Sequence, residues 1–247
     1  AHLATAGSLR VTVDGIAIRE LAQSSEARQA IARYRSEYLG STITDLGWNG
    51  SIAARNAGSL PQQVLDKALT RINYFRALAK LPPVRLSAER NRLAQHAALI
   101  MLANRKLSHY PDSSWACYSE AGKQGAAASN LGLPSLARII TEYIEDPGPN
   151  NSACGHRRWV LASKAGEFGF GAAADVNHYR FAAEALHVTG NSATPSNLPE
   201  FIAWPPAGYL PSPLLFPRGS FALPLAKNRV NLAGAAVTMK GANGQSI

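Results

Sequence analysis

The sequence predicts an α+β fold in which helices cover an antiparallel sheet, and three observations predict it. Between residues 62 and 144, apolar side chains recur every three or four residues, the period of helices with one buried face. Two later runs, near Phe168–Ala174 and near Tyr179–Val188, read as strands of a β-hairpin. Of the 247 residues, 46% are hydrophobic and 17% charged, a globular balance that can bury a real core.

The elements follow in order. Leu9, Val11 and Val13 alternate with polar residues, Asp14-Gly15 offers a two-residue turn, and Ile16 and Ile18 resume the alternation, which predicts a hairpin. A helix follows over about Glu26–Leu39, with Ile31, Tyr34, Tyr38 and Leu39 near one face and Gly40 as its stop. Residues 41–58 are small, polar and Gly-bearing, the composition of a linker. Ser59 and Gln62 stand at capping-box spacing, with Pro61 in the first turn, where its missing N–H does no harm. Leu65, Leu69, Ile72, Phe75 and Ala79 then keep helical spacing until Pro82-Pro83. Ser87 opens a second helix of this block, striped by Leu93, Ala97, Ile100 and Met101. His96 lies at the edge of that stripe and reads as a satisfied core residue rather than a ligand.

Residues 111–133 read as a loop around Trp115 and Cys117. Pro134 and Ser135 open a third helix, with Leu136, Ile139, Ile140, Tyr143 and Ile144 on one face, ended by Pro147-Gly148. Glu145 falls on the opposite side of that wheel, facing either solvent or a cleft. From Trp204 the composition changes: Pro205, Pro206, Pro211, Pro213, Pro217 and Pro224 crowd together, and only one strand pattern follows, Val230–Met239. One strand cannot bury itself. The tail is either the start of a truncated β domain or a terminal segment packed on the main domain. The implied organisation is an N-terminal hairpin, helix and linker over 1–58, a central domain over 59–195, and a Pro-rich, β-rich segment over 196–247.

Chemistry concentrates in two short words, LSH ending at His109 and GHRRW beginning at Gly155 with His156 next. Cys117 follows the first histidine and Cys154 precedes the second. A Cys117–Cys154 bridge closes a loop of about 38 residues and contributes about 4 kcal/mol in the chain-entropy view. It draws His109 and His156 into one neighbourhood, where two imidazoles bind a divalent metal or handle protons. Such a bridge points to an exported protein, secreted or periplasmic; the alternative is two separate structural thiols. The chain opens at Ala1-His2-Leu3 without a basic, apolar leader, so a signal peptide was removed or never present. No apolar run approaches the roughly 18 residues of a membrane span.

The net charge is +9, and from Asp66 to Lys106 nine basic residues meet two acidic ones. That excess is either a solvated face or a face for anionic partners such as phospholipid headgroups or acidic polysaccharide. No nucleic-acid motif accompanies it, which excludes specific nucleic-acid recognition as the leading function.

The stretch INYFRALAKLPPVRLSAERNRLAQHAALIMLANRKLSH, a cysteine-bearing loop, IEDPG and GHRRWVL together resemble a bacterial CAP domain over roughly residues 60–190. This is the superfamily of cysteine-rich secretory proteins, insect venom antigens and plant pathogenesis-related proteins. The resemblance implies an α-β-α sandwich with a central cleft of two histidines and two acids, which in some members holds zinc or another divalent ion. His109 and His156 match the histidines, and Glu145 matches the acid ending the third helix. Ser129 and Asn130 fall in the segment that usually reads GEN, so Ser129 replaces a carboxylate. Arg157 and Arg158 replace a polar Thr-Gln pair. An ion on His109, His156 and one carboxylate keeps an open position, but a missing carboxylate and a nearby guanidinium both weaken the hold on a dication. If Arg157 or Arg158 turns inward, the cleft prefers an anion.

The resemblance therefore implies a secreted binding module for lipid, sterol or another partner, requiring no cofactor. The alternative is a metal- or His-dependent hydrolase, with His109 or His156 as general base, Glu145 orienting it, and Ser108 or Ser129 as the nearest nucleophile. No GxSxG elbow or HExxH helix is present. A third reading is a platform for a protein partner docked through the N-terminal hairpin and helix.

Overall fold

The short strands β1 (Thr12–Val13) and β2 (Ile16–Ala17) pair antiparallel, with Val13 opposite Ile16. They belong to a computed structural model that describes residues 12–13, 16–17, 24–174, 182–193, 195–222, 238 and 245. Ser24 accepts a hydrogen bond from the Ala27 N–H (3.0 Å) and starts helix α1, Ser25–Arg33. A π-helical turn, Tyr34–Leu39, carries it on to Gly40. Tyr34 and Tyr38 turn toward the core, whereas Ile31 and Leu39 of the expected face stay exposed.

Residues 41–58 are not a free linker. Ile43, Leu46 and Ala57 are buried, and the Trp48 indole N–H donates to the Ala57 carbonyl at 2.7 Å. A few apolar anchors among small residues hold the segment to the core, and composition averaged them away. Helix α2 (Gln62–Leu78) starts at Pro61, with no side-chain cap. The capping box is absent because Ser59 spends both its N–H and its hydroxyl on Asn49 Oδ1, at 2.7 and 3.3 Å. Val64, Ala68, Ile72 and Phe75 form its buried stripe.

The basic excess over 66–106 is in part internal, which corrects the idea of a basic face. Arg76 is fully buried and donates to the carbonyls of Pro82, Val160, Ala162 and Ala165. Burial pushes its guanidinium down to about 10. Arg71 is also buried, bonded to Ser41, Thr141 and the Tyr38 carbonyl, with its guanidinium 4.0 Å above the Tyr38 ring. Both arginines serve as polar staples of the interior.

Strand β3 (Arg85–Leu86) precedes α3 (Ala88–Asn104), which Ser87 caps as expected. The next segment departs from the sequence reading. Where a loop was expected over 111–133, Glu120–Ala128 form helix α4, capped by Ser119, and Ser129–Gly132 form strand β4. The helix presents no apolar stripe because its contact with α3 is made by glycines: a Cβ on Gly125 would lie 2.1 Å from the Leu93 carbonyl oxygen. The expected third helix is also broken. It consists of a 3₁₀ turn, Leu136–Arg138, and a short helix α5, Thr141–Glu145, separated by Ile140 at φ +65°. The break has a tertiary cause, since the Ile140 N–H donates to the buried Glu184 carboxyl (3.0 Å).

Helix α6 (Gly155–Val160) and strands β5 (Glu167–Ala174) and β6 (Ala182–His187) complete the sandwich. The sheet order is β3-β5-β6-β4, with β3 parallel to β5 and the other pairs antiparallel. Along β5, Phe168, Phe170 and Ala172 point to one core, with α2, α5 and α6. Gly169 and Gly171 face α3, so closely that a Cβ on either would lie 2.2 Å from its backbone. Helices thus cover both faces, and the α-β-α sandwich implied by the resemblance is the observed fold.

Beyond the sandwich, β7 (Ile202–Trp204) and β8 (Ser220–Ala222) pair antiparallel. Trp204 is buried edge-on against Phe75 of α2 and stacked with Phe216, so this Pro-rich stretch packs on the main core. The Val230–Met239 pattern lies outside the described residues.

Candidate functional site

Four pieces converge on one cleft: the loop after α3, the start of β4, the start of α6, and the end of β6. His109 stands exposed on the loop, its Nδ1–H donating to the Ala126 carbonyl of α4 (2.9 Å). His156 occupies the first turn of α6. Its Nδ1–H donates to Asp146 Oδ1 (2.8 Å), while Asp146 Oδ2 accepts from the His156 backbone N–H (3.0 Å). Asp146 is fully buried in the left-handed conformation that ends α5. One carboxylate therefore fixes the imidazole and the first turn of its helix together. With Nδ1 engaged by acceptors in both rings, Nε2 is the nitrogen left for a ligand.

Asn130, buried on β4, donates through Nδ2 to the His156 carbonyl (3.0 Å). The Tyr143 hydroxyl, 3.0 Å from the Asn130 carbonyl, supports the same strand, and its ring lies 5.5 Å from that of His156. Ser129 is buried beside them, its hydroxyl without a hydrogen-bond partner. His109, His156, Ser129 and Asn130 line a cleft of ≈ 330 Å³ together with Tyr110 and Trp159.

Other expected residues lie elsewhere. Glu145 pairs with Arg138 and is absent from the cleft lining; Asp146, one residue on, carries the contact to His156. Arg157 does not turn into the cleft. It is buried, donating to the Ile144, Glu145 and Arg218 carbonyls and the Ser220 hydroxyl. Arg158 is exposed along a second trough of ≈ 620 Å³, which shares Gly155, Trp159, Val188 and Thr189 with the cleft. Glu142 is a further carboxyl near His156: burial raises it above the usual range, and Arg138 and then His156 draw it back down.

The Cys117–Cys154 bridge is not formed, and both thiols are free and buried. Cys117 packs with Leu99 and Ala57, its Sγ 3.5 Å from the Ile52 carbonyl oxygen, and burial raises its pKa. Cys154 sits at φ +50° as the residue preceding α6. The histidines meet because the sheet and α4 bring their loops together, not through a covalent staple.

Ser108 accepts from the Tyr110 N–H, and neither it nor Ser129 is bonded to a cleft histidine. The Ser119 hydroxyl does approach a histidine, His96 Nδ1 at 3.4 Å, but outside the cleft. Zinc is held by three or four protein donors. Among the described residues no group of three or more His, Cys, Asp and Glu is placed to hold an ion. Two imidazoles and a serine hydroxyl do not fit a resident zinc, so no step is routed through one. Also among the described residues, no helix is long and apolar enough to cross a membrane.

The missed members left only faint signals. Asp146 stands in the IEDPG word beside Glu145, and Trp159 ends GHRRW, but which acid reaches the cleft depends on the break at Ile140. Residues 69–191 match the family model described as the cysteine-rich secretory protein family, CAP. No match was found among curated proteins.

Proposed function

We propose that the CAP/SCP-like domain carried by residues 69–191 is an exported binding module that recognises its ligand noncovalently in the cleft between His109 and His156. One observation carries this reading. Both imidazoles give Nδ1–H to protein acceptors, and beside them the Ser129 hydroxyl is buried without a partner. A buried polar group left unpaired in a cleft is stabilised when a ligand supplies the missing bond.

The hydrolase alternative finds no support, because no serine in the cleft is joined to a base. Export rests on the family, whose description is secretory, rather than on a disulfide. Lipid or sterol is the class that the family resemblance suggests, and the panel below sets it beside the other classes.

The test is a thermal-shift panel of a sterol, a fatty acid, oligosaccharides and zinc against wild type and the His109→Ala/His156→Ala double variant. A true ligand at a hundred times its Kd stabilises by about 2.7 kcal/mol. The expected result is a shift in wild type that is lost in the double variant. No shift from any member, or a shift indifferent to the variant, overturns the reading. A shift from zinc alone, lost in the variant, assigns the cleft to a metal instead.

A further inference from the structure

The two hollows adjoin, and Trp159 is the large side chain among the four residues that line both. Trp159 is 48% exposed, and Tyr110, which lines the histidine cleft but not the second hollow, is 80% exposed. Large aromatic rings left in water at a concave surface lose apolar hydration when a flat, partly apolar ligand covers them. The polar groups on the histidine side are the hydroxyls of Tyr110, Ser129 and Thr189, the amides of Asn130 and Asn151, and two imidazole nitrogens, all suited to neutral hydroxyl partners. On the other side of Trp159, Arg158 and Lys164 are exposed along the trough, and neither hollow has an Asp or Glu among its described lining residues. The outer wall there comes from Ile202 and Ala222, beyond the residues that match the family.

We infer that this composite trough binds an acidic oligosaccharide, with one sugar ring stacked on Trp159. A pyranose has an apolar C–H face bordered by hydroxyls, so it satisfies an exposed indole and a polar cleft at once. Hydroxyls on one side of the stacked ring reach the free imidazole nitrogens. A carboxylate on the next residue meets Arg158 and Lys164, whose charges are not opposed by acids along the trough. An open trough with exposed aromatic rings suits an extended polar chain better than a lipid tail, which needs enclosure. The inference names the ligand class of the binding reading above and rests on it.

The test is calorimetric titration of the whole chain with tetragalacturonic acid and, separately, with neutral cellotetraose. The uronate is expected to bind, to quench tryptophan fluorescence, and to weaken as salt rises from about 20 to about 300 mM. Trp159→Ala is expected to weaken it about tenfold or more, with Trp159→Phe retaining part of the affinity. Arg158→Ala/Lys164→Ala is expected to abolish the preference for the uronate over the neutral tetrasaccharide. Unchanged melting temperatures establish that these surface variants fold.

No uronate binding, or binding indifferent to Trp159 and to both cations, overturns the inference. Equal affinity for cellotetraose overturns the anionic subsite. Binding to phosphatidylglycerol vesicles that depends on Arg158 and Lys164, without uronate binding, overturns it in favour of a membrane surface. If another ligand of the thermal-shift panel binds in a His109- and His156-dependent way while the uronate does not, the binding reading stands and only the oligosaccharide fails.

Discussion

Glu184 lies in the middle of β6, fully buried, with one carboxyl oxygen accepting from the Ile140 N–H and the other unpartnered. Burial raises its pKa well above the usual carboxylate range, and Glu142 adds to that while Arg71 opposes it. The folded protein therefore keeps a proton that the unfolded chain releases near about 4.3. The sign follows: this contribution is fully present below the unfolded pKa and is lost as pH rises toward the folded one. Glu142, also raised, acts in the same direction. His96 and His187 act oppositely, because burial lowers both; their contribution is complete above about 6.5 and falls as pH drops below it. Glu184→Gln isolates the carboxyl, since the amide oxygen can still accept from Ile140 while carrying no titrating proton. The expected result is a stability gain over wild type that widens between about pH 5 and about pH 8, in urea melts at each pH. A gap that stays constant or narrows with rising pH would show that Glu184 is ionised in the fold.

Helices α2 and α3 were legible because each buries an apolar stripe against the sheet, and α4 was not because its buried face is glycine and alanine. That face works by closeness. Gly122 sits against Ile100 and Gly125 against the Leu93 carbonyl, where an added Cβ would lie 2.3 and 2.1 Å from its neighbour. Ordinary helix propensity favours alanine over glycine by about 1 kcal/mol. At Gly125 the contact is backbone and cannot swing aside, so overpacking wins. Gly125→Ala is expected to destabilise by about 3 kcal/mol. Gly155→Ala in α6, where nothing lies within 4 Å of the added Cβ, is expected to change stability by less than about 1 kcal/mol. Equal effects in denaturant titrations would refute the close-contact account of α4. The third helix failed to read correctly for a different reason: periodicity assigned Ile139, Ile140, Tyr143 and Ile144 to the interior, and all four are buried. It could not see that Ile140 gives its N–H to Glu184 and so interrupts the helix.

At the scale of the whole molecule, the two histidines were legible as short words, while their surroundings were not. Asp146 comes to His156 only because α5 stops short, and Arg157 leaves the cleft only because its acceptors include the distant Arg218 and Ser220. Arg218 in turn donates to the carbonyls of Asp146 and Gly148. The segment around β7 and β8 is thus tied to the loop that presents Asp146 to His156, and Trp204 anchors it between Phe75 and Phe216. Shared side chains of this kind make one cooperative unit of parts that composition separates. Trp204→Ala removes a fully buried indole and is expected to cost about 3–5 kcal/mol. For a chain of this size that lowers the midpoint of the main thermal transition by roughly 10 °C. The variant should still melt in one step by calorimetry. If residues 202–222 were an independent appendage, the main midpoint would stay in place and only a small separate transition would move, an outcome incompatible with the interlocked core.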